Sequence, residues 1–182
     1  MSDFLTQNGL DFNKLQRLAV CGDVNAQYMV ATCYDKGIGV EQDSKLAFYW
    51  YTQSASQGDV ASIHNVGLCY DIGKGVEQSY SEAFKYYKKA SALGYAKSQY
   101  NLASCYEEGQ GTEQNLKRAF YWYKRAAEQG LVSAWCTLGY YYANGIGVEK
   151  DVQEAINWFT LAAEQGHPEA IQNLELLKNI NK

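Results

Sequence analysis

The side chains able to do chemistry are few in kind. His64 and His167 are the only imidazoles, so they alone could act as a general base near neutral pH or give a metal a nitrogen ligand. Neither stands in a Glu-x-x-His or Cys-x-x-Cys setting, and the two hold different places in the sequence pattern. The expectation is no metal site, no cofactor and no nucleophile with an activating base. His167 reads as a helix-start residue beside Pro168, the only proline, and His64 as a surface group. Cys33, Cys69 and Cys105 recur 36 residues apart. On successive parallel helices they would stand about 10 Å from one another, too far for a disulfide, so they read as small packing residues. Cys21 and Cys136 fall outside that column. The Gly-x-Gly pairs that begin at Gly37, Gly73, Gly109 and Gly145 lack the preceding strand, the third glycine and the Lys-Ser/Thr of a phosphate-binding loop. What remains is a set of carboxylates, Asp35, Asp71 and Glu107, recurring among tyrosines. Their chemistry is charge-assisted hydrogen bonding to a cationic group.

The elements that must position them follow from a repeat of 36 residues, marked by Gly22, Gly58, Gly94, Gly130 and Gly166 and uninterrupted by insertion or deletion. Tyr34, Tyr70, Tyr106 and Tyr142 form one column, Ala47, Ala83, Ala119 and Ala155 another, and Trp50, Tyr86, Trp122 and Trp158 a third. Within each unit, apolar residues at steps of three and four, as in Ala119, Trp122, Tyr123, Ala126 and Ala127, lay a stripe along one helix. Asp43, Ser79, Asn115 and Asp151 are its N-caps. Glu82 and Glu154, three residues on, suggest capping boxes, and the register glycine ends the helix. An earlier helix, near 25–36 in the first unit, meets it through Val30, Ala31 and Tyr34. The column Ala31, Gly67, Ala103, Gly139 lets the two backbones approach closely. The turn between them carries Val40, Val76, Thr112 or Val148, which should tuck into the core.

The Ala-x-x-x-Leu-Gly-x-x-Tyr first helix, the Gly-x-Gly-Val turn and the Ala-x-x-Trp-Tyr-x-x-Ala-Ala-x-x-Gly second helix together resemble the Sel-1-like repeat, a cousin of the tetratricopeptide repeat. Departures are mild: Ser62 and Ser98 for Ala, Val30 and Val66 for Leu, Ala31 and Ala103 for Gly, Thr112 for Val. The resemblance implies an all-α, right-handed superhelical solenoid of antiparallel helix hairpins. One continuous domain is expected, with four repeats at 22–57, 58–93, 94–129 and 130–165. Residues 1–21 would form a capping helix with the stripe Phe12, Leu15, Leu18, Ala19, and residues 166–182 another with Ala170, Ile171, Leu174 and Leu177. A cysteine-rich bacterial subfamily with this repeat, linked to β-lactam binding or hydrolysis, carries paired cysteines in each unit. No unit here has the pair.

A formal net charge of −4 disfavours nucleic acid and anionic membranes as partners. Met1 to Leu5 lacks a signal-like pattern, and five cysteines are an odd count for a disulfide framework. A cytoplasmic protein is expected, the alternative being an effector secreted without a cleaved signal. By its resemblance the chain is a protein–protein interaction module that binds a protein or peptide on its concave face. The alternative is a small hydrolase acting on a β-lactam or peptidoglycan-like substrate. First-helix positions left over from packing nominate the binding columns: Tyr28, His64, Tyr100 and Cys136; Thr32, Leu68, Ser104 and Tyr140; Asp35, Asp71 and Glu107; and a mixed column of Lys36, Ile72, Glu108 and Asn144. Rings beside carboxylates suit a basic or amine-bearing peptide. Because each repeat buries its stripe against its neighbours, deleting residues 58–93 in register should leave a cooperatively melting helical protein of lower stability. Deleting half of that segment should not, and circular dichroism melts of the two deletions test the register.

Overall fold

The computed structural model describes residues 11–180; the expectations placed on Met1 to Leu5 and on the last two residues lie outside them. Among the described residues there are ten helices and no strand. They are α1 (Phe12–Val20), α2 (Val24–Lys36), α3 (Ser44–Ser56), α4 (Val60–Ile72), α5 (Tyr80–Ala92), α6 (Ala96–Glu108), α7 (Leu116–Glu128), α8 (Val132–Asn144), α9 (Val152–Glu164) and α10 (Pro168–Ile180). The chain divides into two compact units, one through Leu93 and one from Gly94. In the first, α1 to α5 pack each on the next; in the second, α6 to α10 do the same, and α10 also touches α8.

The sequence places the helix boundaries within a residue or two because the caps are local. Asp43, Ser79, Asn115 and Asp151 each accept a backbone N–H of the first turn of α3, α5, α7 and α9. The two expected capping boxes do not close. The N–H of Ser79 goes instead to the carbonyl of Tyr70 at 2.8 Å, and that of Asp151 to Tyr142 at 2.9 Å. Asp43 and Asn115 pair in the same way with Tyr34 and Tyr106. The Glu82 carboxylate turns to Lys85 at 2.6 Å. Each recurring tyrosine thus accepts, through its backbone, the start of its own second helix.

The same tyrosine rings tie neighbouring hairpins. Tyr70 meets Phe48 edge-on at 5.4 Å and Tyr142 meets Phe120 at 5.4 Å. Tyr34 meets Phe12 of α1 at 5.3 Å. Phe12 lies 36 residues before Phe48, so α1 serves as the second helix of a preceding, degenerate repeat. Of its expected stripe, Leu15 and Ala19 are buried at 1%, but Leu18 is 42% exposed. A nine-residue helix packing on a single neighbour, α2, buries Leu15 and Ala19, half-buries Phe12 and leaves Leu18 outward. At the other end Ala170 and Leu174 are buried against Ala155, Phe159, Ala162 and Cys136, whereas Ile171 faces outward. Val40, Val76, Thr112 and Val148 are half-buried in their turns rather than in the core.

Two glycine columns set how closely parts approach. At Gly75 and Gly147, both at positive φ, a Cβ would fall on the carbonyl oxygen of Ser44 and of Leu116. The turn of one repeat therefore seats directly on the first residue of the preceding repeat's second helix. In the first helices, a Cβ on Gly139 would stand 2.7 Å from the Phe159 ring, and one on Gly67 2.9 Å from that of Tyr87. Ala31 and Ala103 fill the same column fully buried.

Gly139→Ala gains up to about 1 kcal/mol of helix propensity, but overpacking a filled core typically costs about 1–3 kcal/mol. Because Phe159 is buried among Cys136, Ala155 and Ala162, the clash should win. Urea unfolding should show Gly139→Ala less stable than the parent.

Candidate functional site

The carboxylate column is built into the hairpins. Asp35, Asp71 and Glu107 lie in the last turn of α2, α4 and α6. Their backbone carbonyls are held by the side-chain amides of Gln42, Gln78 and Gln114 at 2.7, 2.6 and 2.8 Å. Those glutamines also recur at 36 residues, a signal the sequence offered for what fixes the acids. The Tyr87 hydroxyl donates to Asp71 Oδ2 at 2.9 Å and that of Tyr123 to Glu107 Oε2 at 2.6 Å. In the first repeat Tyr51 shares its hydroxyl with Thr32 Oγ1 at 3.3 Å, and Asp35 pairs with Lys74 at 2.6 Å. In the fourth repeat both members change together: Ala143 replaces the acid and Phe159 the tyrosine.

The core therefore uses the acids, and several nominated positions do not face solvent. Thr32 and His64 are buried at 3% and 5% exposure. The Thr32 hydroxyl is turned back on the Tyr28 carbonyl, and the His64 ring lies 5.8 Å from that of Tyr87. His64 is a packing residue, because the second helix passes directly over its position; it is not a surface group. Cys136 is likewise buried at 7%. Tyr28 and Tyr100 are half-buried, leaning on Tyr51 and Tyr123. Leu68 and Ser104 are half-buried, with Ser104 bonded to Glu108. Tyr140 is 51% exposed. Lys36, Ile72, Glu108 and Asn144 are exposed. All five cysteines are free thiols, Cys21 exposed and the others buried.

The second unit brings part of this set together. A pocket of about 360 Å³ opens between α6, α7, α8 and α10, with Tyr100, Glu107, Tyr140 and Tyr141 on one side and His167 and Glu169 on the other. It has two carboxylates and no lysine or arginine in its lining. The matching space in the first unit is about 130 Å³, and there Lys74 already neutralises Asp35. The Tyr141 hydroxyl is buried without a hydrogen-bond partner. Glu107 stands close enough to act on it electrostatically but outside bonding geometry. Burial first, and Glu107 second, push the pKa of Tyr123 and of Tyr141 up, so that both hydroxyls stay protonated. Burial likewise raises Tyr51. Cys69 is pushed up to about 11 by burial with Asp35 beside it, and Cys136 to about 11 by burial with Glu169 beside it.

One grouping was not legible in the sequence. The ligand atoms of Cys136, His167 and Glu169 lie within 4.8 Å of one another. Cys136 comes from α8 and the others from the start of α10. Only the His-Pro-Glu segment was visible locally; its approach to Cys136 depends on how α10 caps α8 and α9.

Sel1 repeats match four segments, residues 24–59, 60–95, 96–131 and 137–167. The chain belongs to the Sel1 repeat family. Among solved structures, it is similar to a Sel1 repeat protein from Oxalobacter formigenes, at 34% identity and a TM-score of 0.85 over 95% of this chain and 70% of that one. It is also similar to c5321, a protective antigen of uropathogenic Escherichia coli displaying an SLR fold. That match has 34% identity and a TM-score of 0.84, covering 86% of this chain but only 34% of the antigen. Cysteine rich protein B (hcpB) of Helicobacter pylori shares the fold at 23% identity and a TM-score of 0.58, over 73% of this chain and 96% of that one. Comparison with curated protein sequences gave no match. Sel1 repeat proteins are generally protein-interaction modules and typically non-enzymatic, and no helix among the described residues is long and apolar enough to cross a membrane.

The raised tyrosines and thiols make a pH prediction. In the unfolded chain tyrosine ionises near about 10 and cysteine near about 8.5. The folded protein holds both protonated to higher pH, so their contribution is complete below those values and is lost as pH rises. Urea midpoints should be level near neutrality and decline from roughly pH 8.5 upward, and Tyr123→Phe should flatten the decline above roughly pH 10.

Proposed function

We propose that this Sel1 repeat chain is a non-catalytic interaction module whose docking point for a basic or amine-bearing protein segment is the pocket around Glu107. One observation carries the reading: of the two matching pockets built on the acid column, the one in the second unit holds carboxylates with no neutralising lysine or arginine in its lining, while Asp35 in the first is already paired with Lys74. A cationic side chain entering there meets Glu107, whose Oε2 accepts from Tyr123, and finds the half-exposed Tyr140 ring beside it. Charge-assisted bonds and ring contact are the chemistry that recognises lysine, arginine or a free amine. The acid strip is thereby narrowed. Asp71 anchors Tyr87, and Asp35 is paired with Lys74.

Reversing all three acids to lysine would also strip hydrogen-bond acceptors from the buried tyrosines Tyr87 and Tyr123. Loss of such a partner costs about 1–3 kcal/mol. Glu107→Gln keeps an acceptor for Tyr123 and removes only the charge. Selected against the full chain, a library of short random peptides should yield lysine- and arginine-rich binders. Their affinity should fall with added salt and drop at least tenfold for Glu107→Gln, with an unchanged melting temperature. Binders without basic enrichment, or equal affinity for Glu107→Gln, would sink the reading.

A further inference from the structure

We propose that Cys136, His167 and Glu169 form a three-ligand site for a divalent transition-metal ion, zinc above all, within the pocket of the second unit. The three side chains present one ligand atom each within 4.8 Å of the others. Sulfur, imidazole nitrogen and carboxylate oxygen are the donors zinc takes, with bonds of roughly 2.0–2.3 Å. Those bonds place neighbouring ligand atoms about 3.5 Å apart, so movements on the order of 1 Å close the set. Glu169 is exposed and free to make them, while Cys136 is buried and fixed in α8. A mixed thiolate, imidazole and carboxylate set does not suit magnesium or calcium, which take oxygen donors.

A second observation points the same way. His167 Nδ1 is buried and has no hydrogen-bond partner. A buried polar atom left unpaired is costly, and a cation ligated through Nδ1 itself ends that cost and leaves Nε2 to carry the ring proton. The ligands also stand on rigid elements. His167 directly precedes Pro168 and its carbonyl accepts the Ile171 N–H in the first turn of α10, while Ala170 and Leu174 pack α10 onto α9 and the Cys136 region. Three protein ligands leave a fourth position of a tetrahedral ion open to the pocket. The metal would bind with displacement of the thiol proton and would staple α10 to α8. This inference does not depend on peptide docking at Glu107, which is not one of the ligands.

The test uses the untagged full chain, stripped with a chelator and titrated with zinc and, separately, with cobalt as a spectroscopic probe. One equivalent of zinc should bind and raise the melting temperature, and cobalt should give a thiolate-to-metal charge-transfer band. Cys136→Ser should abolish that band. His167→Asn and Glu169→Gln should each weaken zinc at least tenfold, since even groups one step removed from a metal typically matter by about 10–100-fold. Cys21→Ser, at an exposed thiol of the first unit, should change nothing. Absence of stoichiometric zinc binding overturns the proposal, as does a cobalt band that survives Cys136→Ser or is lost with Cys21→Ser. If Cys136→Ser fails to fold, Glu169→Gln decides alone: its side chain is exposed, and unchanged zinc affinity in that variant overturns the site.

Discussion

The recurring tyrosine at positions 34, 70, 106 and 142 is what the rest of the structure hangs on, because one residue makes two different joints. Its backbone carbonyl ends the first helix of a repeat and accepts the N-cap N–H of the second, which closes the hairpin. Its ring stands edge-on against a phenylalanine of the preceding hairpin, at 5.3 to 5.4 Å for Tyr34, Tyr70 and Tyr142. Edge-to-face ring pairs add about 0.5–1.5 kcal/mol beyond the area they bury, and they do so with a defined orientation. The glycines of the turn then let the next repeat settle onto a backbone carbonyl that any Cβ would strike.

Once that framework is set, the acid column acquires its meaning. Asp71 and Glu107 accept hydrogen bonds from tyrosines that the hairpin buries, and the fourth repeat drops the acid and the hydroxyl together. The joint change at Ala143 and Phe159 avoids leaving a buried hydroxyl without its acceptor at that position, which would be costly. The carboxylates are therefore structural first. What distinguishes Glu107 is the space beside it and the missing counter-charge.

The repeats are alike in their cores and differ where they meet other chemistry. Position 74 supplies a lysine to Asp35, whereas the pocket beside Glu107 receives His167 and Glu169 from α10. A terminal helix covers the last hairpin with a sequence freed from the repeat pattern. It thereby brings new donor atoms to a surface that the periodic part left open.

The sequence by itself determined the helices, their boundaries and their pairing. Caps, turn glycines and apolar stripes act over a few residues, and 36-residue periodicity repeats the answer four times. It also located the buried cysteine column. Tertiary structure decided which first-helix positions face solvent: Thr32 and His64 point into the hairpin, not away from it, because crossing geometry and not spacing along one helix selects the covered face. It alone revealed the tyrosines on Asp71 and Glu107, contacts between residues 16 apart, and the meeting of Cys136 with His167 and Glu169 across some thirty residues. Such encounters depend on how one helix is laid over another, and no local pattern encodes that distance.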